Sequence, residues 1–213
     1  MTCMAALHCL SATELVHQYC RRALSPVDVV RDTLERIERF NPAINAFASV
    51  DHDGAIAAAR AAEVRWAQGK PLGLLDGILV TVKDNIWVRK WPARFGSLAT
   101  DDTPRPEDAP AVARMREHGA IFLGRTTMPE HGWIGVCHSP LTGVTRNPWK
   151  LSQTPGGSSG GAAAAALLNL GQPHAATDGA GSIRIPAASS AIGASHCSAE
   201  RSCTGKGKNN DPY

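Results

Sequence analysis

Long apolar runs, blocks of like charge and regularly paired cysteines are all missing from this sequence. No apolar stretch reaches the roughly 18 residues that a membrane-spanning helix requires, so no membrane partner is expected. The formal net charge is only +3 over 213 residues, with no run of basic side chains, which argues against direct binding of nucleic acid. Six cysteines (Cys3, Cys9, Cys20, Cys137, Cys197 and Cys203) fall in no C-x-x-C pattern. Reduced thiols and no zinc site are therefore expected. The N-terminus lacks a charged start followed by an apolar core, so no export signal is evident and a cytoplasmic location is expected. What is present is ordinary for a folded protein, with 43% hydrophobic and 19% charged residues. The length suits one α/β domain better than two.

The first 70 residues read as a helical region. Ser11-Ala12-Thr13-Glu14 is a capping box opening a helix to about Arg22. Ser25-Pro26 starts a second, with Val27, Val30, Leu34 and Ile37 on one stripe, and Asn41-Pro42 is expected to end it. A short strand over 46–50 and an Ala-rich helix from Asp53 to Gln68, closed by Gly69, complete the region. From 71 to 188 the pattern changes. Ile78-Leu79-Val80-Thr81-Val82 is a continuous apolar run marking a strand covered on both faces, and it ends in Lys83. Residues 88–110 read as loop, Ala111–Glu117 as helix and Ala120–Arg125 as a second buried strand, which makes a βαβ unit with a parallel pair. A helix-and-loop segment is expected over 128–139, and a helix from Ser159 or Gly160 to about Leu170. From 189 onward serine, cysteine and charged or amide residues replace large apolar ones, so 189–213 is expected to be disordered.

The candidate chemistry lies between Thr154 and Pro186. Two Gly/Ser turns, Gly156-Gly157-Ser158-Ser159-Gly160-Gly161 and Gly179-Ala180-Gly181-Ser182, bracket one short helical segment. Three explanations compete. A flexible linker accounts for the first turn alone but not for the second, nor for a lysine closing a buried strand. The G-x-S-x-G of Gly157 to Gly161 fits the nucleophile elbow of α/β-hydrolases. That motif must follow a strand, however, whereas Lys150 to Pro155 is polar and ends in proline. A Ser–Ser–Lys relay uses all three features.

For this third explanation the resemblance is specific. Gly77-Ile78-Leu79-Val80-Thr81-Val82-Lys83-Asp84, Gly143-Val144-Thr145-Arg146-Asn147-Pro148-Trp149, Thr154 to Gly161 and Thr177 to Ala187 occur in the order found in amidase signature hydrolases. The chain resembles the N-terminal part of that family from about Leu10 to Ala187. The resemblance implies an amidase-signature-like mixed α/β sheet covered by helices, with a core that is incomplete. It implies that Ser182 is the nucleophile, Ser158 the proton relay on a cis Gly157–Ser158 peptide, and Lys83 the base. A base at Lys83 must be neutral, and burial at a strand end favours that form. The amides of Gly179, Ala180, Gly181 and Ser182 are the oxyanion-hole candidates. Asp178, Ser159 and Arg184 are expected to hold the turns by charge-assisted hydrogen bonds. The family usually has glycine at the position of Ala180, and alanine there is strained if φ is positive. His174 reads as a local irregularity and Thr177 as a turn residue.

The implied reaction is hydrolysis of a small-molecule carboxylic amide through an acyl-enzyme, with no metal or organic cofactor and with an oligomer left open. Within the family, the glutamyl-tRNA amidotransferase A protein is the alternative, although Met128-Pro129-Glu130-His131-Gly132-Trp133 looks more like general amidases. The alternative from another class is an inactive remnant that binds or interacts without catalysis. Family members continue past the Ile-Pro-Ala turn, so the expectation is a truncated product whose unfinished sheet exposes edges and apolar faces.

Overall fold

The computed structural model describes residues 6–195. Its frame is a parallel pair of strands, β2 (Leu79–Lys83) and β3 (Ile121–Thr126), every residue of which is buried. Leu79 pairs with Ile121 and Lys83 with Thr126, with one irregularity after Val80. The crossover carries helix α4 (Pro110–Glu117), as the βαβ pattern predicts. Strand β1 (Phe47–Val50) runs antiparallel on the far side of β3. The two-residue β6 (His174–Ala175) runs parallel to β2, giving the order β1-β3-β2-β6 in a mixed sheet.

Alternating side chains of the buried strands feed two different cores. Leu79, Ile121 and Leu123 join Val30, Leu34 and Ile37 of α2 (Pro26–Ile44), Ala55 and Ala59 of α3 (His52–Ala67), and Ala164 and Ala165 of α5 (Gly160–Leu167). Val80, Val82 and Phe122 point the other way, onto Val112 of α4 and Val88. This period of two on strands apolar at both parities is the mark of a sheet covered on both faces. Helix α1 (Ala12–Cys20) carries the expected capping box: the Ser11 side chain takes the Glu14 amide while Glu14 takes the Ser11 amide.

Several local expectations are corrected. Helix α2 runs through Pro42 to Ile44 instead of stopping at Asn41-Pro42. The proline falls in the last turn, where Asn45 in the left-handed region caps the helix and donates to the Asn41 carbonyl at 2.7 Å. The Asn41 side chain also takes the Ala46 and Phe47 amides, which turns the chain into β1. A hairpin of β4 (His138–Ser139) and β5 (Gly143–Val144) replaces part of the helix-and-loop expected over 128–139. Helix α6 (Arg184–Ser190) carries ordered structure across the 188/189 boundary drawn from composition. The remainder of the tail expected to be disordered, from 196, lies outside the described residues. Among the described residues, no helix is long and apolar enough to cross a membrane.

At the carboxyl ends of β2 and β3 an ion pair is buried, with the Asp84 side chain 1% exposed and Arg125 9%. Asp84 also accepts the Gly96 amide at 2.9 Å and the Arg94 amide at 3.3 Å, and Arg125 donates to the Pro92 carbonyl at 2.7 Å. One pair thus anchors the loop after β2 to the sheet. Replacing Arg125 by Met strands a buried carboxylate and is expected to cost about 3–5 kcal/mol. A urea titration checks this: the midpoint falls at constant slope. An unchanged midpoint would show that the pair carries no stability.

Candidate active site

Strands β2, β3 and β6 are parallel, so their carboxyl ends emerge along one edge of the sheet, the usual place for a site in such folds. Lys83 is the last residue of β2 and only 1% exposed. Its Nζ stands 2.7 Å from Ser158 Oγ and 3.1 Å from Thr177 Oγ1. Burial lowers its pKa to about 8, against the opposing influence of Cys137 and the Asp178 carboxylate. The amine is thereby brought within reach of the neutral form that accepts protons.

The first serine turn reaches Lys83 because its glycines let backbone lie on backbone. Gly156 has φ of +87°, and a Cβ there would stand 2.8 Å from Pro186 Cα, so the first serine turn rests on helix α6 just beyond the second. A Cβ on Gly157 would meet the Val136 carbonyl at 2.7 Å. The Gly157–Ser158 peptide is cis. Ser158 and Ser159 are both buried, and the N-terminus of α5 begins directly after them. The Ser159 amide donates to the Ser182 carbonyl at 3.1 Å, and its hydroxyl donates to the Thr177 carbonyl at 3.3 Å. Ser159 thus stitches the two serine loops together.

In the second loop Asp178 is the organiser. Its side chain is fully enclosed, and it accepts the amides of Gly181, Ile183 and Arg184 at 2.6, 3.1 and 3.2 Å. The Arg184 guanidinium adds two contacts at 3.0 Å. That guanidinium, followed by the amide donors, holds the Asp178 carboxyl well below the usual carboxylate range. Gly181 adopts φ of +109°, whereas Ala180 is not among the residues with positive φ, so alanine at that position is unstrained. Because the Gly181 amide is committed to Asp178, the candidate set for an oxyanion narrows to Gly179, Ala180 and Ser182. Their N–H groups have no partner among the described residues.

The structure therefore joins Lys83 to Ser158 directly and sets the Ser182 loop against the Ser158 loop through backbone. No hydrogen bond links the half-buried Ser182 hydroxyl to Ser158. Three participants escape the sequence pattern. Thr177 Oγ1 takes both Lys83 Nζ and the Asn85 side-chain amide, the latter at 3.0 Å. Cys137, 2% exposed, lies beneath Gly160, whose Cβ would come within 2.4 Å of the Cys137 Cβ; burial pushes its thiol pKa up. No spacing signal marks Thr177: strand register brings it here, two residues beyond Ala175, the partner of Val82, at the same sheet edge as Lys83. His174 is a strand residue: its Nδ1 lies 2.7 Å from Thr81 Oγ1, and burial lowers its pKa to about 4.

A groove of about 730 Å³ opens beside these loops, lined by Trp133, Ile134, Pro140 and Val144 with Glu130 and His131. Gly132, between two of its walls, faces the site, since a Cβ there would lie 3.2 Å from Ser158 Oγ. The Asn147-Pro148-Trp149 turn holds α6 in place. The Asn147 side chain donates to the Ser189 carbonyl at 3.1 Å and the Trp149 indole to the Ser190 carbonyl at 3.0 Å.

A family model described as Amidase matches residues 28–193. An acylamidase from Rhodococcus erythropolis is 40% identical over 85% of this chain and 38% of its own length. The glutamyl-tRNA(Gln) amidotransferase A protein of Acidothermus cellulolyticus is 41% identical over 85% of this chain and 36% of its own. Among solved structures, a bacterial aryl acylamidase of the amidase signature enzymes superposes with a TM-score of 0.80 at 34% identity, over 86% of this chain and 38% of that one. The peptide amidase of Stenotrophomonas maltophilia gives 0.78 at 32% identity, over 84% and 38%. The chain thus spans less than two-fifths of the length of these relatives.

The Asp178 contacts predict a local effect. In Asp178→Ala the amides of Gly181, Ile183 and Arg184 lose a charged acceptor, and their hydrogen exchange should quicken by roughly tenfold or more. In the wild type this protection is present above the ordinary carboxylate pKa. It disappears only as acidification passes the depressed folded-state value. Unchanged exchange in the variant would show that the loop holds itself.

Proposed function

The chain belongs to the amidase family, and on that footing we propose that its site hydrolyses the C–N bond of a carboxylic amide through an acyl-enzyme on Ser182. Ser182 Oγ attacks the carbonyl carbon. Its proton passes to Ser158 as Ser158 gives its own to Lys83. The amides of Gly179, Ala180 and Ser182 receive the developing oxyanion, an interaction typically worth about 3 kcal/mol per donor. Collapse of the tetrahedral adduct breaks the C–N bond, and the proton on Lys83 returns through Ser158 to the departing amine. Water then repeats the sequence on the ester and releases the acid.

The observation that carries this proposal is the buried Lys83 amine 2.7 Å from the Ser158 hydroxyl. The Ser158–Ser182 contact closes when a substrate carbonyl fills the space between the loops, as catalytic hydrogen bonds commonly tighten on binding. Trp133, Ile134, Pro140 and Val144 line the adjoining groove, which favours amides bearing an apolar substituent over glutamine.

A fluorophosphonate probe tests the assignment. Labelling is expected at Ser182, absent in Ser182→Ala and slowed by about 100-fold or more in Lys83→Ala. Because the neutral amine is the active form, the labelling rate should rise with pH, with a midpoint near the Lys83 value of about 8. Folded protein that takes no label would overturn the assignment and favour a binding role without catalysis.

A further inference from the structure

Thr177 and Asn85 stand outside the Ser–Ser–Lys relay, yet they complete the polar surroundings of its base. A neutral amine has two N–H groups and one lone pair, and a relay works only if the lone pair faces Ser158. Lys83 Nζ lies between Ser158 Oγ at 2.7 Å and Thr177 Oγ1 at 3.1 Å. The Thr177 oxygen also accepts the Asn85 amide at 3.0 Å, while Asn85 Oδ1 is buried without a partner among the described residues. With Asn85 on one lone pair of Thr177, the other remains for a Lys83 N–H. Reversing the amide would let Oδ1 take the Thr177 hydrogen, and the oxygen would still face Lys83 as an acceptor.

We infer that Thr177, itself held by Asn85, is a positioning residue for the base: it takes one Lys83 N–H, turns the amine lone pair toward Ser158, and shares the charge once the proton arrives. This role builds on the amidase mechanism above, but the hydrogen-bonded arrangement exists without substrate. The other groups facing the amine are the Asp178 carboxylate and the Cys137 thiol. Neither donates to or accepts from Thr177 Oγ1, so a change at Thr177 leaves both in place.

The test compares Thr177→Val, which keeps the shape and loses the oxygen, with Thr177→Ser, which keeps the oxygen. The Lys83 titration is followed by NMR of ¹³Cε-labelled lysine, assigned with Lys83→Met. Loss of an acceptor disfavours the ammonium, so the Thr177→Val midpoint should fall by about one pH unit or more, and Thr177→Ser should restore it. On the probe reaction Thr177→Val should slow the maximal labelling rate by about 10- to 100-fold at unchanged probe affinity. Asn85→Ala, which leaves the Thr177 oxygen in place but unanchored, should move both quantities the same way by less and covers the case in which the valine variant fails to fold. An unmoved Lys83 midpoint in Thr177→Val, or in Asn85→Ala if the valine variant does not fold, overturns the inference; so does a loss that serine does not recover. A shifted midpoint in a protein that never labels would instead sink the hydrolase assignment and leave the positioning role standing.

Discussion

Everything in the site follows from one constraint: an amine enclosed at the end of a strand that is covered on both faces. Val80 and Val82 press into one core and Leu79 into the other, so β2 has no side open to water before Lys83. Desolvation opposes a charge there, and the amine's hydrogen-bond partners are two hydroxyls. The same burial that would be a liability in a structural lysine is what the proposed role of proton acceptor near neutral pH requires. The apolar helices of the N-terminal region therefore shape the surroundings of this amine as well as the scaffold.

The two serine loops meet this amine through backbone geometry more than through side chains. Gly156 rests on Pro186, the Ser159 amide binds the Ser182 carbonyl, and Asp178 gathers three amides of its own loop. Asp178 in turn is neutralised by an exposed Arg184 whose guanidinium closes the loop from outside. A carboxylate serving as a hub for backbone donors gives a short loop a fixed shape that its own apolar contacts could not supply.

Much of this was legible from residue pattern alone. The apolar run ending in Lys83, the capping box at Ser11 and the parallel pair around α4 all have local or periodic signatures, and the structure follows them. Pro42 misled because a proline in the last turn of a helix is tolerated when a left-handed Asn45 caps just beyond it. The β4–β5 hairpin is only two residues on each side, too short for periodicity to register. Thr177 and Asn85 were invisible as partners because their meeting depends on the register of β6 against β2, a tertiary fact with no trace in spacing. The committed Gly181 amide was hidden for the same reason: a turn rich in glycine advertises free donors, and only the folded loop decides which one Asp178 takes.

The contact of Gly156 with the Pro186 backbone bears on how such a protein can diversify. Close approach of the first serine turn to helix α6 is set by main chain, while Trp133, Ile134 and Val144 line the neighbouring groove on different segments. Substitutions among those lining residues reshape the groove without touching the Gly156–Pro186 contact. Main chain fixes the junction, and side chains remain free to vary along the walls.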